Sequence, residues 1–394
     1  MVSLGTMALD DGAGIDFGRL RADRTARLLQ AMGDHGIDAL VLGRDDNLRF
    51  ATGARRLNLA GNRPFMPACV VVREGGDLYV VNTWDDGVPA EIPHDHLIQL
   101  SVNPMDIVVS LQKIAGLTGA ATIGIDGISP LYRDLLAMIA PGARLVNADA
   151  ALRQARTPKS ADEVLCIRTA LAIAESAMED VVLTLAPGVT ERSLLGRFRG
   201  RAAGLGASEP ASEGTFCSVP PAGPDGEVRL RQIADDRTID EGDLVVLSSG
   251  VLYAGYEGSI GRTWRCSSRA GHGASAEQRA LHARWRQTFE HVLDTCRPGA
   301  SGADLVDAHL AAGEPVGTTP LAYGVGLGFE GVVAGSALGR EFDATRRVDE
   351  GSVLCIQVAV SGSAGAYAAS ETVHVTDRGP VVLTTMSHGP LAAG

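Results

Sequence analysis

Residue patterns that carry chemistry on their own are sparse in this chain. His94-Asp95-His96 sets two imidazoles at i and i+2, a spacing that could hold a metal or reach a partner's pocket, but its Pro- and Asp-rich surroundings read as a surface loop. Six cysteines (Cys69, Cys166, Cys217, Cys266, Cys296 and Cys355) include no CxxC pair, which points to reduced core thiols, not to a disulfide frame or a zinc knuckle. Cys217 has no histidine close to it in sequence to raise its nucleophilicity. Ser248-Ser249-Gly250 lacks the Gly-x-Ser-x-Gly frame of a nucleophile elbow. Glu371 and His374 lie three residues apart in a strand-like run, so their side chains should point to opposite faces and not act as a pair.

Composition narrows the function classes further. With 394 residues, 45% of them apolar, the chain is long enough for two cores. A net charge of -12 leaves no basic surface to track phosphates, so nucleic acid is not an expected partner. No stretch reaches the roughly 20 apolar residues of a membrane span, and the N-terminus has no basic region followed by an apolar run. The expected setting is therefore the cytoplasm, with no membrane partner.

Any site must be positioned by two sets of elements. Residues 1–17, small, polar and glycine-rich, read as a loose tail. Leu20, Ala26, Leu28, Leu29 and Met32 then form a helical stripe that Gly33 and Gly36 end before a strand at 38–42. Strands at 69–72, 78–81 and 122–125 and helices through 107–114 and 131–139 continue an α/β domain over residues 18–155. Thr157-Pro158-Lys159-Ser160 reads as a hinge, and Ser160 with Glu163 as a capping box opening a long helix. Its buried face should be Leu165, Ile167, Leu171, Ile173, Ala174, Ala177 and Met178, and Pro187-Gly188 should stop it. A second helix follows Thr190, and Ser275 with Gln278 caps a third. With strands at 244–247, 260–264, 353–360 and 372–375, residues 156–394 should form an α+β domain of long helices on an antiparallel sheet.

The second domain also carries the specific motifs. Pro158-Lys159-Ser160-Ala161-Asp162-Glu163, Ile167-Arg168 and Ala172-Ile173-Ala174-Glu175 resemble the opening helix of the creatinase, aminopeptidase P and prolidase superfamily, whose C-terminal domain is called the pita-bread fold. Residues 237–245 (Arg-Thr-Ile-Asp-Glu-Gly-Asp-Leu-Val), with Gly250, Tyr253, Gly255-Tyr256 and Arg262-Thr263, resemble its central hairpin. Gly324-Val325-Gly326-Leu327 is similar to its glycine-rich turn, and Gly351-Ser352-Val353-Leu354 with Glu371-Thr372-Val373 to its last two strands. Residues 46–53 are similar to its early strand and loop. The resemblance implies a creatinase-like N-terminal domain, a pita-bread domain, a homodimer, and a site over the curved sheet walled on one side by the partner's first domain.

Peptidases of that superfamily hold two divalent metals with two Asp, one His and two Glu, because carboxylates neutralise and bridge paired cations and leave a water acidic enough to attack an amide. By resemblance those positions fall here at Ser248, Ser259, Tyr323, Gln357 and Glu371, so a single carboxylate is kept. The superfamily's proton-handling His falls at Arg231, and another His at Glu330. One carboxylate, two hydroxyls, a phenol and an amide cannot offset four positive charges in a partly buried pocket, so neither metal ligands nor a cofactor is expected.

Three readings stay open: metal-free chemistry as in creatinase, a binding surface left by decay, or polar groups that merely satisfy one another. For chemistry, Glu371 is the expected acid or base, its pKa raised toward neutrality in a water-poor pocket. Its bland alternative is a salt bridge to Arg231 or Arg262. Tyr323 could polarise a carbonyl or donate a proton, and Arg231 could hold a substrate carboxylate. Ser248, Ser259, Gln357, Glu257, Glu330 and Arg262 complete the expected substrate-binding set. The leading expectation is a metal-independent enzyme acting on a small amide, amidine or amino-acid-like molecule by hydrolysis or elimination. A non-enzymatic binder of a small ligand or peptide comes second, and an Xaa-Pro metallopeptidase third.

Overall fold

The computed structural model describes residues 14–55, 66–101, 103–219, 230–268, 273–317 and 319–391. It divides into two compact units, one ending at Arg156 and the other starting at Thr157.

The first unit contains, in order, α1 (Phe17–Asp34), β1 (Ala39–Leu42), α2 (Asp45–Thr52), β2 (Cys69–Val72), β3 (Leu78–Val81), β4 (Leu97–Ile98), α3 (Pro104–Leu111), α4 (Ala115–Thr118), β5 (Thr122–Asp126), α5 (Pro130–Ile139), β6 (Arg144–Asn147) and α6 (Asp149–Arg156). Its sheet has the order β4-β3-β2-β1-β5-β6. β1 pairs parallel with β5 and antiparallel with β2. All four residues of β1 are buried, as a central strand covered on both faces requires.

Several expectations are corrected here. Residues 1–13 of the expected tail lie outside the described residues, but Ile15 and Phe17 are buried and Asp16 caps α1 by accepting from the Arg19 N–H, so structure begins earlier than residue 18. On α1 the buried face runs through Phe17, Leu20, Arg24, Leu28, Ala31 and Met32, while Ala26 is exposed. Residues 46–53, expected as strand and loop, instead fall on the helix Asp45–Thr52 and its cap Gly53 at φ 72°. Its cause is tertiary. Buried Asp126 accepts from the Gly43 N–H at 2.5 Å and from Asn47, while Arg156 bonds Asp46 at 2.6 Å and Asn47 at 2.5 Å, fixing the helix start above β5. α3 starts at Pro104 instead of Ile107, because Asn103 caps it and proline suits its first turn.

The second unit contains α7 (Ala161–Val182), α8 (Glu191–Gly204), β7 (Glu209–Pro210), β8 (Thr215–Val219), β9 (Leu244–Tyr253), β10 (Tyr256–Arg265), α9 (Ala276–Thr295), α10 (Gly302–Ala311), β11 (Ala322–Gly326), β12 (Gly328–Ala334), α11 (Arg340–Thr345), β13 (Val353–Gly362), β14 (Gly365–Thr376) and β15 (Gly379–Val382). Both capping boxes form, with Ser160 and Glu163 on α7 and Ser275 and Gln278 on α9. The strands make a sheet in the order β12-β11-β13-β14-β10-β9-β7, with β15 on β14 and β8 on β9. β9 and β10 join through Ala254 and Gly255, both at positive φ, in the two-residue turn whose twist suits a hairpin. The glycine-rich turn at 324–327 is a strand and the start of a second hairpin, β11 to β12.

Cross-strand partners share a face, so pairing sorts the side chains. Val245, Leu247, Val251 and Ile260 pack against Ala170, Ala174 and Met178 of α7 and Phe198 of α8. Ile356, Val358, Tyr367, Ala369 and Val373, on the same side, pack against Leu281, Trp285 and Phe289 of α9. Gly258 brings the backbone of α7 down onto this side: a Cβ there would sit 2.3 Å from the Leu171 nitrogen. Gly258→Ala should therefore cost about 1–3 kcal/mol by overpacking, read as a lower denaturant midpoint. An unchanged midpoint would show that α7 shifts freely. No helix among the described residues is long and apolar enough to cross a membrane.

Candidate active site

The opposite face of the sheet is polar. Ser248 pairs with Gly261 and Ser259 with Gly250 across the first hairpin. Gly261 pairs with Ser370, Gln357 with Ser370, and Tyr323 with Cys355. Ser248, Ser259, Tyr323, Gln357 and Ser370 therefore share one face, together with Glu257 and Cys355.

Glu371 is one residue out of step, and this corrects its expected role. A single step along a strand reverses the side chain, so Glu371 points away from that face and toward Arg262. Its carboxylate lies 3.1 Å from Arg262 Nη1, accepts from Arg262 Nη2 at 3.2 Å, bonds His388 Nε2 at 2.9 Å and accepts from the Thr384 hydroxyl. Burial opposes its ionisation, but the His388 hydrogen bond, the Arg262 charge and the Thr384 hydroxyl outweigh it and hold the carboxyl below its usual range. The expected upward shift is thus reversed, and the salt-bridge alternative is the one that forms, to Arg262. Arg262 also donates to the carbonyls of Gly261, Ser370 and Met386, so it ties β10, β14 and the C-terminal segment together instead of facing a substrate. Tyr367 bonds His388 Nδ1 at 2.6 Å and completes this buried network.

Glu257 is the carboxylate on the polar face. It is 5% exposed and accepts hydrogen bonds from Ser259 Oγ and, at 3.3 Å, from the Tyr323 hydroxyl. Burial pushes its carboxyl up, with the Ser259 and Tyr323 bonds opposing and the charge of Glu330 adding to the rise. Tyr323 is shifted strongly upward by its burial and by its neighbours Cys355 and Glu257. That phenol donates its hydrogen bond to Glu257.

The remaining residues divide. Arg231 donates to buried Glu191 and, at 2.9 Å, to Asp235. Glu330 accepts from the buried Lys159 ammonium at 2.7 Å, so it is consumed by an ion pair that its sequence position does not suggest. Gln357 donates to the Pro320 carbonyl at 3.2 Å. Ser370, Gly261 and Glu191 were missed, because the first two depend on strand pairing and the third on a contact across 40 residues. A cavity of about 80 Å³ opens on the polar face, lined by Thr215, Arg231, Gln232, Ser248, Gln357 and Ser370, with Gly261 in its wall. A Cβ at Gly261 would lie 2.7 Å from Ser370 Oγ and 3.1 Å from Ser248 Oγ, so the glycine keeps this space open.

Other sequence candidates fall away. His94 bonds Asp85 while His96 stacks on Tyr79, so the two rings serve separate contacts. Burial pushes the Cys217 thiol up to about 11, the reverse of an activated nucleophile. All six cysteines are buried, and none forms a disulfide. Glu371 and His374 face opposite sides of β14, as their spacing implied.

A family model, the metallopeptidase family M24, matches residues 165–377, more than half of the chain. The chain belongs to the metallopeptidase family M24. A second model, the creatinase/prolidase N-terminal domain, matches residues 24–157. This M24 chain is 24% identical over 314 residues to an Xaa-Pro dipeptidase from Pyrococcus horikoshii, covering 77% of the chain and 82% of that protein. Its fold matches the prolidase structure from Pyrococcus horikoshii with a TM-score of 0.72 at 21% identity, over 93% of this chain and 99% of the other. It matches the X-Pro aminopeptidase from Thermotoga maritima with a TM-score of 0.70 at 19% identity, over 92% and 98%. The creatinase-like N-terminal domain and the pita-bread C-terminal domain are thereby established.

The residues of this M24 chain do not fit two divalent cations. The polar face offers hydroxyls, a phenol and an amide at the implied positions, and the carboxylate read as the retained ligand is turned to the other face. Among the described residues no group of three or more His, Cys, Asp and Glu side chains is arranged to hold a metal ion. With Glu257 as the carboxylate this face presents, paired cations would have to leave water with too little negative charge to replace its stabilisation.

Proposed function

We propose that this M24 chain is a metal-independent enzyme acting on a small amide, amidine or amino-acid-like molecule by hydrolysis or elimination, with Glu257 as its acid–base group. The observation that carries the reading is the neutral polar face: Ser248, Ser259, Tyr323, Gln357 and Ser370 around a buried carboxyl whose pKa is raised. Burial raises that carboxyl from its ordinary range, the direction that suits a general acid or base. Tyr323 and Ser259 hold it in place. The substrate is a small molecule, neither nucleic acid nor membrane is a partner, and the protein works in the cytoplasm as a homodimer. Glu371, Arg262 and Glu330 act through structure.

A second reading is that of an Xaa-Pro dipeptidase, favoured by what its relatives are named. A third is a small-ligand or peptide binder without turnover. The deciding experiment is elemental mass spectrometry of the purified protein after dialysis against manganese, cobalt and zinc, paired with an Xaa-Pro dipeptide assay. The expected result is well under one equivalent of metal per chain and no cleavage. Two equivalents with manganese-dependent cleavage would overturn the metal-free reading and establish the dipeptidase.

A further inference from the structure

The cavity on the polar face has an electrostatic bias that narrows its ligand. Among the described residues lining it, Arg231 is the one with a formal charge, and no carboxylate lines it. Arg231 is held from behind. Glu191, 0% exposed, accepts its Nη2–H while also accepting from the Ser218 N–H at 2.8 Å, the Ser218 hydroxyl at 2.9 Å and the Asp235 N–H. Asp235 accepts from Nη1. A guanidinium has five N–H donors, so these bonds fix its plane and leave donors over.

Its surroundings complete a receptor for a compact anion. The Ser248 hydroxyl lines the same cavity, and Ser370 flanks the gap that Gly261 leaves between them. Gln232 and Gln357 add neutral amides. The volume of about 80 Å³ is well below the roughly 300–1,000 Å³ of pockets for drug-sized ligands, so a dipeptide does not fit inside it. A carboxylate with a few further heavy atoms does.

We infer that this cavity binds a small monocarboxylate, from acetate to amino-acid size, and that Arg231 is the residue that selects for the anion. The inference rests on the proposed small-molecule site and adds the charge and size of its ligand. Arg231 supplies charge-assisted bonds to the carboxylate and Ser248 a hydroxyl, while no carboxylate lines the cavity to receive a cation. Glu191 is a positioning residue that acts through Arg231.

The test is titration calorimetry on the full chain with acetate, glycolate, acetamide and methylammonium at equal ionic strength. Acetate and glycolate should bind at least tenfold tighter than acetamide, and methylammonium should give no heat. Arg231→Gln should remove that preference by tenfold or more, and Arg231→Lys should keep part of it. The ligand series on the unaltered protein stands even if a variant fails to fold. Equal affinity for acetate and acetamide, no binding of any probe, or an Arg231→Gln protein with unchanged selectivity would overturn the inference. In each of those cases the metal-free reading is judged separately, by metal content.

Discussion

Glu371→Gln is expected to destabilise the second unit by about 3–5 kcal/mol, because it leaves the Arg262 charge buried without its counter-ion. For a unit of this size that is a fall of roughly 10 °C in Tm, measured by scanning calorimetry. The pH dependence follows from the direction of the shift. The folded pKa of Glu371 lies below the ordinary carboxyl value of 4.5, so its stabilisation is present above 4.5 and is lost as the pH falls through the folded value. In the variant that part of the acid loss should vanish. Because Glu371 faces away from the cavity, ligand binding by protein that remains folded should be unchanged. A variant with full stability but abolished ligand binding would return Glu371 to the site.

Glu257→Gln should show the opposite pattern. The folded pKa of Glu257 lies above 4.5, so the stability it lends is fully present below 4.5 and is lost as the pH rises through the folded value. At pH 8 the native protein therefore carries an ionised, 5% exposed carboxylate or its buried acid at a cost, and an amide that still accepts from Ser259 and Tyr323 removes it. The variant should be as stable as the parent at pH 5 and more stable at pH 8, by about 1–3 kcal/mol. Thermal midpoints across pH 5–9 measure this. Turnover, once a substrate is in hand, should fall by about 100-fold or more, the usual contribution of a positioned acid or base. A loss of stability at pH 8, or turnover near the parent's, would remove Glu257 from that role.

The two variants look alike in sequence and differ because of where each carboxylate is placed. Both lie in strand-like runs near an arginine or a serine. Glu371 reads as the retained member of a ligand set by resemblance alone, since it stands in a Glu-Thr-Val run. Only the pairing of Gly261 with Ser370 and of Gln357 with Ser370 reveals that the face belongs to Ser370. Parity of a strand is visible in sequence, but its phase relative to a neighbour 100 residues away is fixed by hydrogen bonds between them. Lys159 in the hinge and Glu330 beyond the glycine-rich strand show the same limit: their buried ion pair spans 171 residues.

What the sequence determined was whatever local rules and motifs decide. The capping boxes at Ser160 and Ser275 depend on residues three apart, so their helices begin where local hydrogen bonding dictates. The central hairpin with Gly250, Tyr253 and Gly255-Tyr256, and the positions Ser248, Ser259, Tyr323 and Gln357, were legible from the resemblance of their motifs to the family. Tertiary structure alone decided the helix at 45–52, which depends on Asp126 and Arg156 from distant segments. It also decided which glutamate lies on the polar face of the sheet, because burial and side-chain direction are properties of the packed sheet and of no single run of residues.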